Sequence, residues 1–142
     1  MLVDTILQSK GKTVYTVAAT ASVAEALGLL NRHNIGAVVV VNAAGAVAGI
    51  LSERDIVRHL GSDPASLLKR PVSECMTATV VTCTRDNTVA SLMEQMTRFR
   101  IRHIPILENG ALVGIVSIGD VVKRKIEEAE QEASALREYI AT

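Results

Sequence analysis

Residues 45–55 read Gly45-Ala-Val-Ala-Gly-Ile-Leu-Ser-Glu-Arg-Asp55, and the same frame returns 65 residues later as Gly110-Ala-Leu-Val-Gly-Ile-Val-Ser-Ile-Gly-Asp120. Upstream the match continues at an offset of 66, pairing Val14 with Val80, Thr16 with Thr82, Val23 with Val89, Ala24 with Ala90 and Ile35 with Ile101. The one-residue change falls in the turn before each Gly, where Asn42-Ala-Ala-Gly is answered by the shorter Glu108-Asn-Gly. Turns absorb such changes readily. The chain therefore contains one structural unit twice, and that repeat fixes the fold more firmly than any single element.

Each copy opens on a short extended segment, Val14 to Val17 and Val80 to Cys83, that leads into a helix. Val23, Ala26, Leu27 and Leu30 stand at i, i+3, i+4 and i+7, and Val89, Leu92, Met93 and Met96 repeat the spacing. That is one apolar helix face. β-rich runs follow, Ala37 to Val41 with Val47 to Leu51 and His103 to Leu107 with Leu112 to Val116, each pair joined across a Gly-containing turn as in a hairpin. Ser52 and Ser117 then end the strand and open a second helix, Ser being a favoured N-cap and the Asp three residues on complementing the first turn. The unit is β-α-β-β-α, an α+β fold.

One copy alone is too small to bury a good core, so the two are expected to pack about a pseudo-twofold axis. Gly61 to Val72, with Pro64 and Pro71, reads as a linker. The expected organisation is residues 1–61 as the first repeat with an N-terminal segment, 62–73 as linker, 74–126 as the second repeat and 127–142 as a helical extension. Val122, Ile126, Ala129, Ala133, Leu136 and Ile140 step by 4, 3, 4, 3 and 4 residues among Glu, Lys and Arg. This heptad-like stripe marks a long amphipathic C-terminal helix, which either folds back on its own domain or makes a dimer contact.

Composition narrows the function classes. Of 142 residues 49% are apolar, which excludes a disordered tail, and 15 Lys+Arg balance 15 Asp+Glu, which argues against nucleic acid as the main partner. With no Trp, one Phe and two Tyr, the core must be built from Val, Ile, Leu, Ala and Met. The longest apolar run, Ala37 to Leu51, is broken by Asn42, Gly45 and Gly49 and is too short to span a bilayer. No export signal is visible, so a cytoplasmic protein without a membrane partner is expected.

The repeated frame sets a Ser and an Asp at a strand-to-helix junction. Capping explains both residues, but it would also accept Thr, Asn or Glu and does not require the same frame twice. The same geometry suits a nucleotide: unpaired N–H groups and the Ser hydroxyl face an anion, and the Asp carboxylate accepts both hydroxyls of a ribose. The most cationic stretch, Arg98-Phe-Arg-Ile-Arg-His-Ile-Pro105, leads into a core strand. Arg102 and His103, on opposite sides of that strand, are the candidate phosphate contacts, whereas surface solubilisation is the bland reading for Arg98 and Arg100 and the favoured one for Arg98. Their counterparts in the first copy are Gly36 and Ala37, so one site has a cationic phosphate end and the other can offer only backbone.

The duplicated unit, with Ser52-Glu-Arg-Asp55, Arg102-His-Ile-Pro105 and Ser117-Ile-Gly-Asp120, resembles a tandem pair of CBS domains over nearly the whole chain, like small stand-alone bacterial members of that family. The resemblance implies a cleft between the two sheets for adenosine-containing ligands such as AMP, ADP, ATP or NAD(H), and S-adenosylmethionine in some members. It also implies a disc-like homodimer, and sites that cross the repeats. Carried over residue by residue, the first site takes Ser52, Arg54 and Asp55 with Val80, Val81, Ile101, Arg102, His103 and Pro105. The second takes Ser117 and Asp120 with Val14, Tyr15, Gly36 and Ala37. The family's frequent Pro before the hairpin is present as Pro105, but Val39 stands there in the first copy.

Catalytic signals are absent from the sequence. His33, His59 and His103 are scattered, and no His or Cys spacing resembles a metal site. Cys83 reads as a small buried hydrophobe in a strand and Cys75 lies by the linker, neither beside a His. No glycine-rich phosphate loop occurs. The expectation is a non-catalytic regulatory sensor of adenine nucleotides with no metal, reporting its state to a protein partner. The rival reading is a constitutive interaction or scaffold protein with an empty cleft.

Overall fold

The computed structural model describes residues 1–11 and 13–141. Its order is α1 (Val3–Lys10), β1 (Thr16–Ala18), α2 (Val23–His33), β2 (Ala37–Val41), β3 (Val47–Ser52), α3 (Glu53–Ser62), α4 (Val89–Phe99), β4 (His103–Glu108), β5 (Ala111–Ser117) and α5 (Ile118–Ala141). Short 3-10 turns at Leu67–Lys69 and Val72–Glu74 join the halves. The two repeats have the expected hairpins and flanking helices. In each, local chemistry sets the bounds. Ser22 and Thr88 cap α2 and α4 by accepting the N–H of Glu25 and Ser91, and both helices end on a left-handed residue, Asn34 (φ 51°) and Arg100 (φ 54°). Gly45 and Gly110 take φ of 82° and 80° in the hairpin turns, a conformation that costs a side-chain-bearing residue energy.

The first sheet has the order β1-β2-β3, with β1 parallel and β3 antiparallel to β2. Val38 and Val40 of β2 point into a core with Val17, Val23, Ala26, Leu30, Leu51 and Ile56, while Ala37 and Val39 on the opposite face are buried as well. The segment expected as a linker closes this core instead of looping free. Leu67 and Val72 are buried in it, and Val72 N–H bonds the Ala21 carbonyl at 2.7 Å.

The second sheet corrects one expectation. Val80 to Cys83 is not a strand: only Cys83 pairs, in a single parallel bridge to Ile106 that leaves β4-β5 two-stranded. The reason lies at Pro105. In the first repeat the Val39 N–H bonds the Tyr15 carbonyl at 3.4 Å, and Pro105 stands at the matching place with no N–H to offer the carbonyl of Val81. Cys83 still donates to the Pro105 carbonyl and accepts from Leu107 N–H, at 3.1 and 2.9 Å. Immediately afterwards the Asn87 side chain takes the Thr84 N–H at 2.7 Å and turns the chain away.

Helix α1 is absent from the reading of the sequence. Its Val3, Ile6 and Leu7 belong to the core of the second repeat, with Leu92, Met96, Ile104, Ile106, Val116 and Val121, although the helix precedes the first repeat. At the other end, α5 is one unbroken helix of 24 residues running from the Ser117 junction through the stripe. It does not fold back: Val122, Ile126, Leu136 and Ile140 are 49, 53, 59 and 74% exposed.

Candidate functional site

Each Ser-x-x-Asp frame lies at a strand-to-helix junction and caps it. Ser52 Oγ accepts the Asp55 N–H at 3.3 Å while Asp55 Oδ2 accepts the Ser52 N–H at 2.9 Å, a reciprocal box. Asp120 Oδ2 accepts the Ser117 N–H at 2.9 Å and Ser117 Oγ accepts the Asp120 N–H at 3.1 Å. The first helical N–H of each junction is also taken, Glu53 by the Gly36 carbonyl at 3.0 Å and Ile118 by the Arg102 carbonyl at 2.9 Å. Two of the first-turn donors expected to face an anion are thus bonded within each repeat. These matched pairs are the pseudo-twofold relation in atomic detail.

Beyond the caps, each carboxylate is reached by a side chain from the segment leading into the other repeat. Thr77 Oγ1 donates to Asp55 Oδ1 at 3.1 Å, and Ser52 Oγ donates to Asp55 Oδ2 at 3.0 Å, so Asp55 is only 6% exposed with each oxygen bonded. Thr77 is held there by a two-way backbone pairing with Ile50, at 2.8 and 3.0 Å. Gly49 permits that approach, because a Cβ at this position would lie 2.5 Å from Met76 Sδ and 2.8 Å from the Thr77 carbonyl oxygen. In the second junction Lys10 Nζ donates to Asp120 Oδ2 at 2.5 Å and to the Ile115 carbonyl at 2.7 Å. Gly114 plays the part of Gly49, with Leu7 of α1 at 2.6 Å from its would-be Cβ.

The halves also meet at the segments before the hairpins. The His103 ring lies over Gly36, its Cε1 and Nε2 both 3.3 Å from a would-be Cβ, with Glu53 Oε1 at 3.7 Å from the same point. Burial pushes the His103 pKa below its ordinary value, and the nearby Lys10 adds to the shift; Asp120 and Glu53 oppose it without prevailing. For Asp120, burial works to raise the pKa, but the hydrogen bonds from Lys10 and from the Ser117 backbone outweigh it and the carboxyl titrates low.

The remaining predicted residues divide by environment. Val81 and Ile101 pack on the second core, Val80 is half-buried, and Pro105 is buried in β4. Arg54 and Arg102 have exposed side chains. Val14 is half-buried and Ala37 is buried. Tyr15, expected against a ligand base, stacks on His33 with ring centroids 3.6 Å apart. The expectation that the second site can offer only backbone is corrected: Lys10 gives it a cation. Lys10, Thr77 and Glu53 were missed by sequence reasoning. The Val3, Ile6 and Leu7 spacing could have revealed the helix that carries Lys10, but no local pattern marks Thr77.

Cys75 and Cys83 are buried free thiols whose pKa values burial raises, the opposite of an activated nucleophile. Among the described residues no group of three or more His, Cys, Asp or Glu could hold a metal ion, and no helix is long and apolar enough to cross a membrane.

The family model described as the CBS domain matches residues 11–62 and again residues 72–127. The mitochondrial CBS domain-containing protein CBSX3 of Arabidopsis thaliana is 34% identical over 97% of this chain and 71% of its own length. A CBS-domain protein from Agrobacterium tumefaciens superposes with a TM-score of 0.85 at 48% identity, covering 87% of this chain and 92% of that one. A CBS-domain pair solved in complex with 5′-methylthioadenosine and S-adenosyl-L-methionine superposes at 0.80 with 28% identity, covering 90% of this chain and 98% of that one.

Proposed function

The chain belongs to the CBS-domain family as one tandem pair, and from that premise we propose that it is a non-catalytic regulatory module binding an adenosine-containing nucleotide between its repeats. The observation that carries this reading is the crossing of the halves at each aspartate, Thr77 on Asp55 and Lys10 on Asp120. A ligand seated on either carboxylate touches both repeats, and so can bias their relative placement by its differential affinity for two shapes. The complex of a related pair with two adenosine compounds supports the ligand class.

In the first site a ribose diol replaces the Ser52 and Thr77 hydroxyls on Asp55, the base lies toward Val80, Val81 and Ile101, and phosphate lies toward Arg54, Arg102 and His103. In the second, Ser117 and Asp120 serve the sugar and Lys10 the phosphate, beside Gly36 and Ala37. AMP, ATP and NAD(H) are the candidates. The module works as a homodimer whose surface reports the ligand state to a protein partner.

One observation favours a second reading, a constitutive interaction protein with an empty cleft: Asp55 already has an internal partner for each oxygen. Calorimetry and thermal melting with AMP, ATP, NADH, S-adenosylmethionine and 5′-methylthioadenosine separate the two. A sensor binds at least one and is stabilised progressively as that ligand is raised. No heat and no shift with any of the five leaves the scaffold.

A further inference from the structure

The structure leaves the outer part of α5 without cover from its own chain. The 24 residues span about 36 Å at 1.5 Å per residue, and most side chains beyond Glu128 are exposed. A helical segment without tertiary packing is marginal in water, so its apolar stripe calls for a partner.

We propose that this partner is a second copy of the same helix, in a parallel, in-register two-stranded coiled coil. With Ile126 placed at heptad position a, positions a hold Ile126, Ala133 and Ile140, and positions d hold Val122, Ala129 and Leu136. β-branched residues at a with Leu at d favour parallel dimers, and the two Ala layers let the backbones approach closely. The flanking charges choose the orientation. Positions e hold Lys123, Glu130 and Arg137, and positions g begin with Lys125 and Glu132. In a parallel pair each g residue faces the e residue five places on, which sets Lys125 against the partner's Glu130 and Glu132 against the partner's Arg137.

An antiparallel pair that stacks the same apolar layers instead opposes Glu130 to the partner's Glu130, Glu132 to the partner's Glu132 and Lys123 to the partner's Arg137. Those like charges reject it. Within its own helix Lys125 has only a loose contact to Glu128 at 3.9 Å, which an interhelical pair can replace. The twofold axis then runs along α5, and both bodies lie at the same end of the pair.

Single cysteines test this in the full chain, since Cys75 and Cys83 are only 1 and 3% exposed. Under mild oxidation Ile126→Cys and Leu136→Cys each cross-link to themselves if the helices run parallel in register. Cross-linking only when the two variants are mixed overturns the orientation, and failure of both overturns the pairing. Adding Glu130→Lys to Leu136→Cys should sharply lower the cross-linked fraction, and further adding Lys125→Glu should restore it. A fraction unmoved by either change also overturns the in-register pairing. The ligand-binding reading does not depend on this outcome, and a dimer seen by sedimentation without any cross-link sinks the helix pairing while leaving a homodimer through the bodies intact.

Discussion

Lys10 and Asp120 are joined across 110 positions of sequence by a hydrogen-bonded ion pair of 2.5 Å, with side chains 27 and 24% exposed. It ties α1 to the helix that opens the last part of the chain, and it occupies the carboxylate of the second candidate site. Replacing Lys10 with Met keeps the apolar stem and removes the charge. A partly screened pair of this kind is worth about 1 kcal/mol, so Lys10→Met should unfold earlier in urea by roughly that amount at neutral pH. The Asp120 pKa is lowered in the folded state, so this stabilisation is present above the ordinary carboxylate range and is lost as pH falls through the folded value. The wild-type and Lys10→Met unfolding curves should therefore converge in acid. A gap that persists unchanged after Asp120 has been titrated would falsify the assignment.

The two aspartates should not be equivalent in ligand binding. Asp55 is held by neutral hydroxyls that a ribose diol can replace in kind, whereas Asp120 must first release Lys10. In calorimetric titrations with the nucleotide that binds wild type, Asp55→Ala should lose more affinity than Asp120→Ala. Each variant also forfeits cap stability of ~1 kcal/mol, which melting without ligand measures separately. Equal losses, or a larger one at Asp120, contradict the ranking.

His103 provides a pH signature. Its folded pKa is depressed, chiefly by burial, so the neutral ring's contribution to stability is complete above the ordinary histidine value of about 6.5 and declines as pH falls below it. In a titration followed by NMR, the His103 resonance should titrate below the ordinary histidine value of about 6.5. A phosphate at the first site draws that pKa back up, so nucleotide binding near pH 6 should take up a proton. Heats of binding that do not vary with the ionisation enthalpy of the buffer speak against a phosphate beside His103.

Gly49 and Gly114 test how firmly the lead-in segments are seated. A Cβ at Gly49 meets the Thr77 carbonyl at 2.8 Å, and backbone cannot swing aside, whereas a Cβ at Gly114 meets the terminal methyl of Leu7 at 2.6 Å. Gly49→Ala should cost about 1–3 kcal/mol in chemical denaturation and loosen Thr77 from Asp55. Gly114→Ala should cost less, through repacking of α1. The reverse order of stabilities would show that the Thr77 strand edge yields more easily than the helix.

The hairpins were legible almost to the residue, because Gly45 and Gly110 mark turns that need positive φ and the flanking runs are dense in β-branched residues. The repeat then delivered both Ser-x-x-Asp junctions. What failed was everything decided by tertiary proximity. Val80 to Cys83 has the composition of a strand, yet whether it pairs depends on an N–H that Pro105 lacks, more than 20 residues away. Helix α1 is short and draws its stability from the second core, so its own pattern is weak. Thr77 and Lys10 reach the aspartates only because the halves cross, and the stack of Tyr15 on His33 likewise has no local signature.

The seating of α1 has a consequence for biosynthesis. This helix is translated before the first repeat, but Val3, Ile6 and Leu7 find their places only once Val116 and Val121 have been made. At roughly 5–20 residues per second the wait is on the order of ten seconds, during which an apolar surface stays open to chaperones. Synthesis of the second repeat is thus what locks α1 in place, and a ribosome stalled midway releases a product that carries an uncovered greasy helix, a ready handle for quality control.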